Sequence, residues 1–142
     1  MANVSVKISD DFKKKLDGLT AEMEAKIIPE MLEAGGRVCE YQVRTHLAES
    51  IGNSIDSRAT GELMAALGTS PVKQDRQGNW DVKIGFREPR HDGKSNAMIA
   101  NILEYGKSNQ PARPFLKQAE KASKLECEQV MSQVFNEEVA KL

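Results

Sequence analysis

The sequence is poor in the residues from which catalytic and metal sites are usually built. Its 142 residues include two histidines, two cysteines and one tryptophan. His46 and His91 have no partner at metal-ligand spacing, and a lone histidine lacks the group that orients a catalytic base. No glycine-rich phosphate-binding motif occurs, because Gly35-Gly36 lacks a preceding strand and a third glycine. We therefore predict that the protein is not an enzyme, takes no small-molecule substrate and has no metal site or cofactor.

The sequence also lacks an excess of charge of either sign. Twenty basic residues oppose twenty-one acidic ones, a formal net charge of −1, which predicts no long-range attraction to nucleic acid or to anionic membranes. The basic run Lys13-Lys14-Lys15 has Asp10, Asp11 and Asp17 around it, as is typical of a solvated helix face. Direct DNA binding is therefore not expected.

Long apolar runs are missing as well. No stretch approaches the ~20 apolar residues of a membrane helix, and the N-terminal residues lack the basic flank and apolar core of a signal peptide. Cys39 and Cys127 lie far apart, in segments that both have helical periodicity. We expect them to be reduced thiols in the core of a protein made in a reducing cytosol.

The first third of the chain predicts a strand and a long helix. Apolar residues alternate at Val4, Val6 and Ile8, which indicates a strand with one buried face. Ser9 or Asp10 can cap the helix that follows, and this helix should kink or restart at Pro29 and continue to about residue 50. Gly35-Gly36 should weaken its middle. Its predicted apolar stripe consists of Phe12, Leu16, Leu19, Met23 and Ile27.

The middle of the chain predicts a small sheet. Residues 51–59 are rich in Gly, Asn, Ser and Asp and indicate a loop; Thr60 then caps a short helix over 61–67. A strand over 69–74 leads through the turn 75–79 to the clearest strand of the sequence. That strand has alternating apolar residues at Trp80, Val82, Ile84 and Phe86.

Two further helices and two connections complete the prediction. Residues 87–96 contain no apolar side chain and indicate an exposed, mobile loop. A short, well-buried helix follows over 98–105, and Gly106 suits the positive-φ position after it. The last helix starts at Pro114 and has an apolar stripe at Leu116, Ala119, Ser123, Cys127, Val130 and Val134.

Together these elements predict a single α+β domain over residues 1–142. A small antiparallel sheet of about three to four strands packs against a long N-terminal helix and a C-terminal helix. Residues 1–50 supply a strand and the long helix, residues 60–106 the sheet and short helices, and residues 107–142 a connector and the C-terminal helix.

The connector over residues 102–116 has an unusually determined backbone. Pro111 and Pro114 push the residues before them toward extended conformations, and Phe115 and Leu116 anchor the helix that follows. We predict a rigid segment that displays Arg113, with Glu104 or a carboxylate of a neighbouring chain as its acceptor. A purely structural helix-to-helix connector is the alternative, because turn chemistry alone explains the prolines.

These residues resemble the C-terminal signature of the tail-completion (minor tail, neck-region) proteins of long-tailed bacteriophages. In that family a glutamate followed by an aromatic–glycine pair comes first. A few polar residues later come Pro-Ala-Arg-Pro-Phe-Leu and a closing helix. Residues 104–106 match the first part and residues 111–116 the second. Thr60-Gly61-Glu62-Leu63 resembles the family's weaker Thr-Gly-x-Leu turn. The resemblance covers roughly residues 5–135, with Tyr105 where phenylalanine is commoner and no aromatic run before Met98.

The resemblance implies a structural protein of the virion tail or neck, present in the bacterial cytoplasm before assembly. Its partners would be other neck and tail proteins and further copies of itself, packed as a ring through two different faces of each subunit. We further expect the loop over residues 87–96 to fold only on assembly. The implied interface residues are Glu104, Tyr105, Gly106, Pro111, Ala112, Arg113, Pro114 and Phe115. The implied assembly loop contains Arg87, Glu88, Arg90, His91, Asp92 and Lys94.

Two other classes of function are weighed against this one. A nucleic-acid-binding module would need a basic stripe with stacking aromatics, whereas Trp80 and Phe86 share an alternating face with Val82 and Ile84, as core residues do. A small hydrolase or regulatory enzyme would need convergent polar groups. Retention on DNA at moderate salt tests the first, and joint substitution of the two histidines tests the second.

Overall fold

A computed structural model describes residues 3–51, 57–88, 95–109 and 111–142, and it confirms the predicted α+β class. A small antiparallel sheet packs against one side of a long helix from the N-terminal half, and a second long helix near the C-terminus packs against the other side of that helix. The strands are β1 (Val4–Lys7), β2 (Leu67–Thr69), β3 (Lys73–Gln74) and β4 (Trp80–Phe86). The helices are α1 (Asp10–Leu16), α2 (Ala21–Ile51), α3 (Ser57–Ala66), α4 (Asn96–Tyr105) and α5 (Phe115–Ala140).

The sheet is organised around β4, which pairs antiparallel with each of the other strands. Val4 lies opposite Ile84, which joins the first strand of the chain to the central one. The predicted strand over 69–74 is instead two short strands, β2 and β3. Pro71 lies between them, and because proline has no N–H it cannot donate to the ladder.

The turn between β3 and β4 is confirmed. The Asp75 carboxylate accepts hydrogen bonds from the backbone N–H groups of Gln77 at 2.8 Å and Asn79 at 2.9 Å. Gly78 has a φ of 89°, which only glycine adopts readily. The backbone N–H of Asn79, more than that of Gln77, holds the pKa of Asp75 below its ordinary value of 3.8.

The predicted N-terminal helix is two helices, with the break at residues 17–20 instead of at Pro29. Ser9 caps α1 by accepting from the Phe12 N–H at 3.4 Å, and Thr20 caps α2 by accepting from the Met23 N–H at 3.3 Å. α2 then continues through Pro29, so the predicted restart is not observed. The apolar spacing runs across the break with Leu19 half-buried, which is why periodicity alone predicted one helix.

Gly35 and Gly36 lie where α2 passes between α5 and the sheet. A Cβ atom on Gly35 would lie 2.9 Å from Cys127 Sγ, and one on Gly36 would lie 3.3 Å from Thr69 Cγ2. Carbon atoms pack at about 3.5–4.0 Å. The two glycines therefore permit the close packing of both layers on α2, a role that their helix propensity does not reveal.

The predicted apolar stripe of α5 is confirmed in its first half and shifted in its second. Met131, not Val130, continues the buried side, and Val134 is partly buried. Cys39 and Cys127 are free and buried, as predicted. Burial, with the nearby Cys39 thiol as a smaller cause, raises the pKa of Cys127 from 9.0 to about 11.

The short helix α3 begins before Thr60, which is therefore not its cap. Residues 57–59, predicted as loop, belong to α3, and Leu67 starts β2 instead of ending the helix. The rest of that predicted loop, residues 52–56, lies outside the described residues.

Candidate functional site

Glu104 is a buried carboxylate that caps a helix far along the chain. It is 5% exposed, and its two oxygens accept hydrogen bonds from the backbone N–H groups of Leu116 at 3.1 Å and Lys117 at 2.9 Å. Pro114, the residue at the N-cap of α5, makes no side-chain capping bond. Glu104 therefore supplies the acceptor that the first turn of α5 needs. The Glu104 oxygens thus accept from the backbone of α5, and Glu104 is not the acceptor of Arg113 that was predicted.

Arg113 is bonded to the end of α2. Its Nη1 donates to the backbone oxygen of Ser50 at 2.5 Å, and its backbone N–H donates to the oxygen of Leu103 at 2.6 Å. The last carbonyl groups of a helix have no partner within the helix, so Arg113 satisfies one of them. Its side chain is exposed, but the predicted carboxylate acceptor is not the partner that the structure shows.

The remaining connector residues divide between surface and core. Gly106 has a φ of 77° and ends α4 as predicted, with its N–H donating to the Ile102 oxygen at 2.8 Å. Pro111 and Ala112 are exposed. Phe115 is fully buried and packs edge-on against Phe86, with the two ring centroids 6.2 Å apart. It therefore anchors α5 in the core and cannot itself be a surface contact.

Pro114 occupies the N-cap of α5, so the helix begins at Phe115, one residue later than predicted. The connector thus links three helices: α4 through Gly106, the end of α2 through Arg113, and the start of α5 through Glu104. The side chains of Glu104 and Arg113 are thus both engaged within the chain.

The outer face of α4 carries two large apolar side chains. Met98 is 62% exposed and Tyr105 is 74% exposed. They are seven residues apart, so they lie on one side of the helix, with Ile102 partly buried between them. The prediction of a helix buried over much of its circumference is therefore wrong. The residues of α4 that are buried are Asn96, Ala100, Leu103 and Glu104.

The predicted assembly loop is described only at its two ends. Arg87 donates from its backbone N–H to Ala66 at 2.8 Å and from Nη2 to Ala65 at 3.0 Å. Glu88 accepts from Ser95 Oγ and from the Ala97 N–H, each at 2.8 Å. Arg90, His91, Asp92 and Lys94 lie outside the described residues.

Asn96 was predicted to belong to this exposed loop, but it is buried in the first turn of α4. Its Nδ2 donates to the backbone oxygen of Arg87 at 2.7 Å. A buried amide is compatible with the core here because it is hydrogen-bonded. The two ends of the loop are therefore fixed to the end of α3 and to the start of α4.

The described parts of the chain do not group side chains as metal ligands. His46 is half-buried in α2, with Nδ1 2.8 Å from the Gln42 oxygen, and His91 lies outside those parts. Within residues 3–51, 57–88, 95–109 and 111–142, no three His, Cys, Asp or Glu side chains are grouped as metal ligands. No helix in the same ranges has the length and apolar character of a membrane-spanning segment.

Comparison with known proteins gives no match: neither a protein-family model, nor a curated protein, nor a solved structure is significantly similar to this chain. The resemblance of residues 104–106 and 111–116 to the tail-completion signature therefore rests on the motif itself.

Proposed function

We propose that the protein is a non-enzymatic assembly protein of a tailed bacteriophage or prophage, which completes the tail or joins it to the head through protein–protein contacts. The observation that carries this proposal is Tyr105, which stands 74% exposed on a segment braced at several points. An exposed tyrosine on a rigid support is suited to bind another protein, because little conformational entropy is lost on binding.

The bracing of Tyr105 follows from its neighbours in the chain. Glu104 is tied to the first turn of α5 by two hydrogen bonds, and Gly106 is tied to the last turn of α4. The backbone on both sides of Tyr105 is therefore held, while its ring lies in solvent. Met98 extends the same apolar face by two helical turns.

The two parts of the tail-completion signature, residues 104–106 and 111–116, also form one unit in this chain. The glutamate of the first half accepts from the backbone of Leu116, at the end of the second half, and from Lys117, directly after it. The Arg113 side chain then joins this unit to the end of α2. A motif whose parts depend on one another in this way supports the proposal that the resemblance reflects a shared structural element.

The decisive experiment separates Tyr105 from the fold. Tyr105→Ser is introduced into the gene in its own host, and Tyr41→Ser, which removes a 67% exposed tyrosine from α2, is the matched control. Both purified variants should unfold at the urea concentration of the wild type. After induction, electron microscopy should show separate filled heads and tails for Tyr105→Ser and joined particles for Tyr41→Ser. Normal joining in the Tyr105 variant would contradict the role of this residue.

The function as a whole is tested by inactivating the gene. We expect infectious particles to fall by several orders of magnitude, with unjoined heads and tails in the lysate. Undiminished phage yield, or flanking genes without capsid or tail proteins, would refute the proposal.

A further inference from the structure

A groove of ≈ 520 Å³ lies at the end of the molecule that is formed by the β3–β4 turn. Its walls come from the end of β1, from α1 and from the first two turns of α2. Its floor is apolar: Leu16 and Ile28 are buried, and Ile8 and Trp80 are partly buried. An apolar floor of this kind fits an apolar side chain.

The rim of the groove is mainly acidic. Asp17, Glu24, Asp75 and Asp81 line it, against Lys7 and Lys13. Lys13 has its own carboxylate partner in Asp10, at 3.7 Å. Because the lysines are outnumbered and one of them is paired, the rim favours a ligand with positive charge beside an apolar group.

The same chain carries a surface of this description on α5. Lys117, Lys121 and Lys124 are exposed and are spaced by four and three residues, so they form one stripe along the helix. Leu125 stands beside this stripe and is 67% exposed. Leu125 has Lys121 and Lys124 on its N-terminal side, whereas the exposed Glu128 lies one turn after it. The N-terminal part of this patch, a leucine beside two lysines, therefore matches an apolar floor with an acidic rim.

From this complementarity we propose that the groove of one copy receives the Leu125 side of α5 of a second copy. Leu125 covers the floor near Trp80, and Lys121 and Lys124 face the acidic rim. The two surfaces are different faces of the subunit, so the contact is heterologous and repeats from copy to copy. The inference rests on the proposed assembly role and names the partner of this surface as a further copy of the chain.

Charge reversal tests the contact, with sedimentation velocity at low salt as the measurement. Asp17→Lys/Glu24→Lys makes the groove basic and leaves the stripe basic. Lys121→Glu/Lys124→Glu makes the stripe acidic and leaves the groove acidic. Each variant alone should associate at least tenfold more weakly than the wild type, because like charges then meet. Mixing the two variants should restore association, since each groove then finds an opposite stripe.

The control is Glu22→Lys/Glu33→Lys, which makes the same change in charge on exposed residues of α2 that do not line the groove. It should associate like the wild type. Trp80 is the single tryptophan, so its emission should shift to shorter wavelength as copies associate. Circular dichroism and urea midpoints confirm that each variant is folded.

Three results would overturn the contact: a wild type that stays monomeric at the highest concentration reached, a reversal that leaves association unchanged, or a mixture that does not recover. These outcomes are separate from failure of the assembly function. If the mixed variants do not associate while gene inactivation still yields unjoined heads and tails, only the groove contact is wrong. If the mixture recovers while phage yield is undiminished, only the assembly function is wrong.

Discussion

Replacing Glu104 should destabilise the protein far more than replacing any exposed glutamate. The carboxylate is 5% exposed and is the acceptor for two backbone N–H groups of α5. In Glu104→Gln the side chain keeps its size and one oxygen, but an amide NH2 group then faces a backbone N–H. In Glu104→Ala both N–H groups lose their acceptor and a small cavity remains.

The magnitude follows from these losses. A hydrogen bond to a charged group contributes about 1.5–3 kcal/mol, and loss of a helix cap costs about 0.5–2 kcal/mol. The hydrogen-bond and helix-cap figures describe the same contacts in part, so they are not added. We expect the free energy of unfolding to fall by about 3 kcal/mol in Glu104→Ala and by about 1–2 kcal/mol in Glu104→Gln. Against a total of about 5–15 kcal/mol, the alanine variant should remain folded but should unfold at clearly lower urea.

Equilibrium urea unfolding, followed by circular dichroism, measures both variants. Glu33→Ala and Glu33→Gln are the controls, because Glu33 is exposed on α2; they should lie within about 0.5 kcal/mol of the wild type. If Glu104→Ala were as stable as Glu33→Ala, water would satisfy the first turn of α5 equally well and the capping argument would fail.

Three further predictions concern other parts of the fold. Gly35→Ala should lower the free energy of unfolding by about 1–3 kcal/mol through overpacking. Gly61 has open space around it, so Gly61→Ala should raise the free energy of unfolding by about 0.5–1 kcal/mol. If both substitutions changed it in the same direction, the packing argument would be refuted. Arg113→Ala should stay folded and cost about 0.5–1.5 kcal/mol in urea unfolding, and a larger loss would show further contacts. Because the pKa of Cys127 is raised in the folded state, its thiol contributes fully to the free energy of unfolding below pH 9.0, and this contribution is lost as pH rises toward 11. Cys127→Ala should make the decline of the free energy of unfolding with pH less steep, and an unchanged slope would contradict this role of the thiol.

The parts of the fold that local patterns encode were predictable from sequence. The alternation over β4, the Ser9 cap, the β3–β4 turn and the positive φ of Gly106 depend on residues within a few positions of one another. Such features need no knowledge of the partner element, because strand alternation and capping are short-range properties.

The connector was predicted as a segment but not in its contacts, since these join distant residues. The Arg113 bond reaches 63 positions back to Ser50, and the Glu104 bonds reach 12 and 13 positions forward. One signal was available: Pro114 cannot cap α5 with a hydrogen-bonding side chain, so another acceptor was required. The exposure of Tyr105 could not be found this way, because it depends on which side of α4 another element covers.

The central position of β4 also bears on how the protein folds during its synthesis. Val4 emerges from the ribosome early, yet its partner Ile84 is 80 residues later. At about 5–20 residues per second, the β1 segment waits about 4–16 s before its partner strand has been translated. Until then its apolar residues are available to chaperones and to neighbouring nascent chains, and translation pauses before codon 84 should increase aggregation of the newly made protein.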